Sequence, residues 1–407
     1  MDSSNLSSLF RPQGSTNATL PGERGSISFP SHSSISSFSI LFIILNEFKI
    51  HSIFNMGASD ENPLKVAVVG IGQMGISHAL AYHHNPGFQI ITLVNRSPVK
   101  NLPDELKDYP VASSLDEALA LKPDVVSINT HTATHADYAV AAMEAGAHVF
   151  VEKPLATTVA EAERVVQTAR RTNRKLVIGY ILRHHPSWIE FINQARDLGP
   201  PFVMRMNLNQ RSSGDAWNIH KRLLQDSKNP AVDCGVHYLD VMLQITNSKP
   251  VQVRGMGVCL SDELPADEQV NYGHLQILFA DGSVGWYEAG WGPMMSETAY
   301  FVKDVMGPRG SVSMVMDEGD SANIDNHTKA SKLRMHTMVE GSYRDSILSM
   351  EDEAGHNELC AREQQFLLEA IQEDRDLGQH MDDAIRSLEI VLAADLSMRE
   401  RRAIDFP

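Results

Sequence analysis

The feature that most constrains this chain is a short apolar run ending in closely spaced glycines. Val66-Ala67-Val68-Val69 passes directly into Gly70-Ile71-Gly72-Gln73-Met74-Gly75, and a helix-like stretch follows to about His84. A run of that length bounded by glycine reads as a strand buried on both faces. Strand, G-x-G-x-x-G turn and helix in that order predict the first βα unit of a doubly wound parallel sheet that binds a dinucleotide. Gly70 serves the tight turn, Gly72 leaves room for a pyrophosphate, and Gly75 lets the helix pack on the strand. The helix N-terminus at Gln73 and Met74 offers N–H groups and a partial positive charge to phosphate. The alternative is a glycine-rich turn with no ligand.

A second strand is expected over residues 89–94, and the residues that follow it bear on cofactor choice. NAD-binding versions of this unit place Asp or Glu about 20 residues beyond the last glycine, on the ribose hydroxyls. This chain has Asn95-Arg96-Ser97 there. Asn95 removes the repulsion that a carboxylate would exert on a 2′-phosphate, Arg96 adds a charge-assisted pair, and Ser97 a donor. NADP(H) is therefore favoured over NAD(H), the alternative being that Arg96 points to solvent.

The alternation continues. Ser114 and Glu117 are spaced as a capping box for a short helix, and residues 124–128 read as a strand. A helix over 136–145 ends at Gly146 before a strand over 147–151. Thr158 and Glu161 form a second capping box, and a strand over 175–179 closes the unit. Six strands with intervening helices make a doubly wound domain over about residues 63–182.

The chain has 407 residues, enough for two to three domains at about 100–200 each. A composition that is 43% hydrophobic and 21% charged excludes a wholly disordered chain and a polytopic membrane protein. The net charge of −16 argues against nucleic acid as partner. Three cysteines, Cys234, Cys259 and Cys360, form neither a disulfide framework nor a metal knuckle and fit a reducing, cytoplasmic setting. Residues 1–55 stand apart, with 14 serines and six charged side chains; they read as a disordered or artefactual extension, with the functional protein starting at Met56. The apolar run at residues 40–45 is far too short to cross a bilayer.

Val151-Glu152-Lys153-Pro154 falls at the carboxyl end of the fifth strand, the edge that faces the ligand crevice. Asp233 and His237 are four apart and share a face if that stretch is helical. With Gly70-x-Gly72-x-x-Gly75, Ala145-Gly146-x-His148-Val149 leading into Glu152-Lys153-Pro154, and Asp233-x-x-x-His237-x-x-Asp240, the chain resembles the Gfo/Idh/MocA oxidoreductases over roughly residues 64–400. The resemblance implies an oxidoreductase that moves a hydride between nicotinamide and a carbinol carbon, usually of a sugar or cyclitol. It makes Lys153, Asp233 and His237 the catalytic trio. Lys153 would polarise the oxygen, His237 would take the proton, and Asp233 would orient and relay. Thr130, His135, Glu152 and Lys153 would lie along the cofactor crevice, and Glu152 and Pro154 would shape the loop. The alternatives are a reductase of a secondary metabolite or dihydrodiol, and a cofactor-binding sensor without turnover. Asp233, His237 and Asp240 as three metal ligands on one helical face is a further alternative, set aside in favour of the metal-free role. Two departures stand out: Lys228-Asn229-Pro230-Ala231 replaces a frequent glycine cluster, and His131 replaces a frequent proline after Thr130.

Beyond about Leu182 the pattern changes to strand-like runs over 202–210, 251–260, 271–279, 283–291 and 311–316. Asp281-Gly282 is a hairpin signal and residues 307–310 a further turn. Amphipathic helices are expected over 358–373 and 381–399. The expected fold is thus an N-terminal Rossmann sheet followed, over residues 183–400, by an α+β domain with a large mixed or antiparallel open sheet. The family commonly uses that sheet face for subunit contacts, which implies a homo-oligomer, dimer or tetramer. Tyr180 and Arg183 match a family element entering the second domain and, with Trp217, Asp233 and His237, are the expected substrate contacts. Trp217 either stacks on a ring or packs in the core, and Trp286 and Trp291 read as core or interface. The adjacent pairs His83-His84 and His184-His185 read as surface or pocket lining.

Overall fold

Four consecutive apolar residues with no solvent-facing alternate can only be satisfied by a strand covered on both sides, and Val66–Val69 are at most 2% exposed. The structure, a computed structural model, describes residues 62–99, 102–225, 229–265, 269–296, 302–315, 329–350 and 353–407. The expectation for residues 1–55 lies outside them. The first half runs β1 (Leu64–Val69), α1 (Gln73–His84), β2 (Phe88–Val94), β3 (Val111–Ala112), α2 (Leu115–Ala120), β4 (Val125–Ile128), α3 (His135–Glu144), β5 (His148–Val151), α4 (Val159–Thr172) and β6 (Leu176–Ile178). Its six strands lie in the order β3-β2-β1-β4-β5-β6, all pairs parallel, which is the doubly wound dinucleotide order. The sixth strand is only the two residues of β3, at an edge.

The helix termini are mostly those that the side chains dictate. Thr158 accepts from the Glu161 amide at 3.2 Å while Glu161 reaches back to the Thr158 amide at 3.1 Å, a complete capping box. Gly146, at φ +96°, ends α3 as expected. Ser114 makes only half of the expected box. It accepts from the Glu117 amide, but the Glu117 carboxylate accepts from the amide and hydroxyl of Ser113, one residue earlier.

The second half contains α5 (Pro186–Asp197), β7 (Val203–Arg211), α6 (Gly214–Gln225), the single turn α7 (Pro230–Asp233), α8 (Gly235–Thr246), β8 (Pro250–Val258), β9 (Tyr272–Phe279), β10 (Val284–Gly292), β11 (Lys303–Gly307), β12 (Gly310–Val315), β13 (Lys332–Val339), β14 (Ser342–Ser349), α9 (His356–Gln372), α10 (Gly378–Glu400) and β15 (Ile404–Asp405). A nine-stranded sheet runs β14-β13-β12-β11-β7-β10-β9-β8-β15, antiparallel except for β7 against β10. The Asp281-Gly282 hairpin forms as expected, with Gly282 at φ +84° and the Phe279 amide donating to the Ser283 carbonyl at 2.9 Å. β14 was not legible because most of its length meets solvent on both faces, and β13 shows only a short alternate of Leu333 and Met335, one buried and one half-buried.

One helix that covers the first sheet comes from well beyond residue 183. Leu367, Leu368 and Ala370 of α9, with Leu377 beyond it, join one buried cluster with Val66, Val68, Tyr82 and Phe88. The first sheet therefore gets one of its covering helices from the far end of the chain.

Candidate active site

At the first βα turn, Gly70 sits at φ +86°, a conformation that L side chains rarely adopt. A Cβ at Gly75 would lie 1.8 Å from the Gly70 carbonyl oxygen, so helix and strand meet there with no room for a side chain. A Cβ at Gly72, by contrast, would meet nothing within 4 Å. The space above it is open, no side chain caps α1, and no acidic residue stands in its first turn. This is the cradle that a pyrophosphate requires, and the residues fit a nicotinamide dinucleotide. Asn95 is already engaged. Its Oδ1 accepts from the Ile71 amide at 3.2 Å and its Nδ2 donates to the Ser97 carbonyl at 2.6 Å, tying the glycine turn to the loop after β2. Arg96 and Ser97 are exposed beside it. Thr130 bonds Thr134 at 2.7 Å, and His135 is buried with its ring nitrogens 2.8 and 3.0 Å from the carbonyls of Pro154 and Thr130. His135 thus braces the loop that carries Lys153.

Lys153 follows the C-terminal end of β5. Its Nζ donates to the Asp233 carbonyl at 3.1 Å and lies 3.4 Å from Oδ2 of Asp233. Burial works against its charge, but the carboxylate of Asp233, with Cys234 and Glu152, outweighs burial and lifts Lys153 above the usual lysine range. It is a fixed cation. Glu152 points the other way. Its Oε1 lies 2.8 Å from Nε2 of the fully buried His78, and its Oε2 accepts from the Lys153 amide at 3.1 Å. Gln364 of α9 donates to Nδ1 of His78 at 2.9 Å, which leaves the ring proton on Nε2, facing Glu152. Burial alone would raise Glu152, but the His78 hydrogen bond and neighbouring charges hold it below the usual carboxylate range. His78, Cys360 and Glu363 also bring ligand-type atoms within 4.8 Å of one another. Both nitrogens of His78 are already hydrogen-bonded, to Glu152 and Gln364, and burial raises the Cys360 thiol and the Glu363 carboxyl, so no free histidine ligand is left in this trio.

Asp233 and His237 do not sit on one unbroken helix. Asn229 caps α7 by accepting from the Val232 amide at 3.0 Å, so the departure from a glycine cluster supplies a helix start. Asp233 ends α7, Cys234 intervenes, and His237 lies in the first turn of α8 with its amide on the Cys234 carbonyl at 3.2 Å. Both side chains line a cavity of about 410 Å³, together with Gln73, Met74, Glu152 and Lys153. Glycine turn, lysine, aspartate and histidine thus converge on one space.

The structure places the expected substrate contacts Tyr180, Arg183 and Trp217 among buried partners rather than on the cavity lining. Tyr180 is 1% exposed and gives its hydroxyl to Ser387 at 2.7 Å; its ring stands edge-on to His237 at 6.0 Å and positions it from behind. Arg183 is locked between Asp240 and Asp383, its Nε 2.9 Å from Asp240 and its Nη2 2.9 Å from Asp383. Asp240 is accordingly that guanidinium's partner, turned away from Asp233 and His237. Trp217 is 4% exposed and donates to Glu263 at 3.0 Å, so it packs in the core. Trp291 is buried at 1% exposure, as a core reading expects, and it also borders the cavity, stacked at 4.3 Å and 11° on His220 with its Nε1 donating to Gln210 at 2.8 Å. His184 and His185 are also not surface groups: His184 packs on Phe366 and His185 lies 2.6 Å from Glu353. Sequence reasoning missed His78, Gln364 and His220. The available signal was periodicity, since His78 sits on the inward helical face with Gly75, Ala79 and Tyr82, where an imidazole requires a buried partner.

Residues 64–180 match the profile described as "Oxidoreductase family, NAD-binding Rossmann fold", and residues 194–406 match its partner, "Oxidoreductase family, C-terminal alpha/beta domain". The chain belongs to the Gfo/Idh/MocA oxidoreductase family. It is 30% identical over 195 residues to a UDP-N-acetylglucosamine 3-dehydrogenase of Acidithiobacillus ferrooxidans, covering 48% of this chain and 58% of that one. It is 28% identical over 199 residues to a D-glucoside 3-dehydrogenase of Escherichia coli, covering 46% of this chain and 55% of the relative. The chain thus spans somewhat over half the length of these curated relatives. In fold it is similar to GenD2 from gentamicin A biosynthesis, solved in complex with NAD, with a TM-score of 0.68 at 22% identity over 86% of this chain and 98% of that one. It is equally similar to myo-inositol 2-dehydrogenase from Lactobacillus plantarum, with a TM-score of 0.68 at 20% identity over 85% and 100% of the two chains. Among the described residues no helix is long and apolar enough to cross a membrane.

Proposed function

We propose that this protein is an NADP(H)-dependent dehydrogenase that oxidises a ring-borne secondary alcohol of a small polyhydroxylated molecule, a sugar or cyclitol, or reduces the matching ketone. The observation that carries the reading is the pairing of Lys153 with Asp233 at 3.1 and 3.4 Å, on the cavity that His237 and the glycine turn also line. The bound cofactor would supply the hydride acceptor or donor at its nicotinamide ring. Lys153 stays charged, so it polarises the substrate oxygen and stabilises the alkoxide character that develops as the C–H bond breaks. His237 takes up the hydroxyl proton, and Asp233 holds the ammonium in place and passes the proton toward solvent. The names of the curated relatives, sugar dehydrogenases among them, support the substrate class.

The preference for the 2′-phosphorylated cofactor rests on Asn95, which puts a neutral amide where a carboxylate would repel that phosphate, and on exposed Arg96 and Ser97 beside it. Assembly into a dimer or tetramer through the open face of the nine-stranded sheet is supported by the exposed Val203, Val251, Leu278 and Val284 on neighbouring strands. The free Cys234, Cys259 and Cys360 support a cytoplasmic setting. Parallel fluorescence titrations with NADPH and NADH, followed by initial rates on polyols, test the reading. Tighter NADPH binding and cofactor reduction by a polyol are expected. Failure of both cofactors to bind would remove the dehydrogenase reading, and tighter NADH binding would remove the 2′-phosphate argument alone. Light scattering on the purified protein tests assembly, where a monomer would overturn it.

A further inference from the structure

Helix α6 carries two apolar faces, and only one of them is used by the protein itself. Trp217 and Leu224, seven residues apart, are 4% and 2% exposed and anchor the helix. Ala216, Ile219, His220 and Leu223 repeat at the same helical spacing on a second face, and all four line the cavity that holds Lys153, Asp233 and His237. Ile219 is left 46% exposed there. Leu208 and Ile181 line the same cavity. Of the polar side chains on this part of the cavity, Gln210 and Ser212 are engaged with its aromatic wall, and Arg211 between them is exposed. Gln210 accepts from Trp291 at 2.8 Å, and Ser212 is bonded to His220 at 3.0 Å. Burial lowers His220 to about 4, so it meets a ligand as a neutral ring stacked on an indole. A hydroxyl at the trio thus finds a cation and an imidazole, whereas the Ala216, Ile219 and Leu223 side chains of α6 offer a hydroxyl no hydrogen-bond partner.

We infer that the substrate is amphipathic: a polyol ring that reacts at Lys153, Asp233 and His237 while carrying an apolar aryl or alkyl substituent, as in a glycoside with a hydrophobic aglycone, against the Ile219 face of α6. The inference rests on the dehydrogenase reading above and adds to it the chemistry of the far half of the substrate.

The test compares matched methyl and phenyl β-D-glucosides and β-D-galactosides with the full chain. One readout is initial rates of cofactor reduction. The other is the dissociation constant of each glycoside from the complex with NADPH, measured by calorimetry. The phenyl member of a pair is expected to show kcat/KM about tenfold higher and correspondingly tighter binding. Tenfold is about 1.4 kcal/mol, which burying about 55 Å² of apolar surface supplies. In Ile219→Asp the phenyl-over-methyl ratio should fall toward one. Asn218→Asp, on the exposed outer side of the same helix, should keep the wild-type ratio. Turnover of the glycosides with a ratio near one, or a ratio that Ile219→Asp leaves intact, overturns this inference and leaves the dehydrogenase reading standing. Cofactor binding without turnover of any glycoside or of myo-inositol overturns the polyol reading, and this inference with it.

Discussion

Replacing Arg183 with methionine separates two roles that the sequence left confounded. If Arg183 touched substrate, Arg183→Met would raise KM and leave the fold untouched. The structure assigns it to a buried cluster instead, with Asp240 and Asp383 both within 2.9 Å and side-chain exposures of 17% for Arg183, 1% for Asp240 and 5% for Asp383. Methionine fills much of the volume but leaves two buried carboxylates facing each other. Each keeps one amide donor, Gln244 at 2.9 Å from Asp240 and Gln379 at 2.7 Å from Asp383, so neither is stripped completely. Breaking a buried pair by removing one partner costs about 3–5 kcal/mol. Urea unfolding followed by circular dichroism should report a loss of that size at about pH 7.5. The dependence on pH adds a second constraint. Burial, the largest influence on Asp240, outweighs Arg183 and holds its carboxyl above the ordinary value even in the intact protein. A carboxyl raised in the folded state costs stability above its folded pKa, and that cost disappears as pH falls through the folded pKa toward the unfolded one. Without Arg183 the carboxyl rises further, so the deficit of the variant should be largest near pH 8 and shrink toward about pH 5. Adding Asp240→Asn and Asp383→Asn to Arg183→Met should restore most of the loss. Unchanged unfolding with a raised KM for polyols would refute this reasoning and return Arg183 to the substrate.

Lys153→Met should lower kcat/KM about 10²–10³-fold, the usual cost of losing one preorganised electrostatic stabiliser, while dinucleotide binding measured by fluorescence persists; unaffected turnover would remove Lys153 from the mechanism. Asn95→Asp keeps the oxygen that accepts from the Ile71 amide but adds a charge, so the ratio of NADPH to NADH affinity should fall at least about tenfold, a change of 1.4 kcal/mol. An unchanged ratio would contradict the 2′-phosphate argument. Gly75→Ala should give little soluble protein or a markedly lower melting temperature, because its Cβ would fall on the Gly70 carbonyl oxygen. Gly72→Ala should melt like wild type yet bind either dinucleotide more weakly, since its Cβ would occupy the open cradle.

Elements fixed by a few neighbouring residues are legible in the sequence. The run of Val66–Val69, the Thr158 and Glu161 cap and the Asp281-Gly282 hairpin each rest on a few neighbouring residues, and each forms as read. Lys153, Asp233 and His237 were legible through resemblance, and the structure brings them to one cavity. Local pattern does not reveal which aromatic or charged groups face inward when partners come from distant segments. Trp217, which could stack on a ring or pack in the core, is held in the core by Glu263, while Trp291, read as core or interface, is buried but also borders the cavity beside His220. Arg183 finds Asp383 200 residues away, and no local periodicity encodes that distance.

The helix α9 changes what can be moved as a piece. Its leucines complete the buried cluster beneath Tyr82 and Phe88, and its Gln364 sets the proton on the imidazole that steadies the lysine loop. The nucleotide-binding half is therefore a discontinuous module, written in two stretches of chain separated by eight of the nine strands of the second sheet. A graft of residues 63–182 onto another substrate domain would bring an uncovered greasy face and a histidine without its orienting amide. A chimaera that keeps residues 356–377 with residues 63–182 would exchange the substrate half while leaving the cofactor half whole.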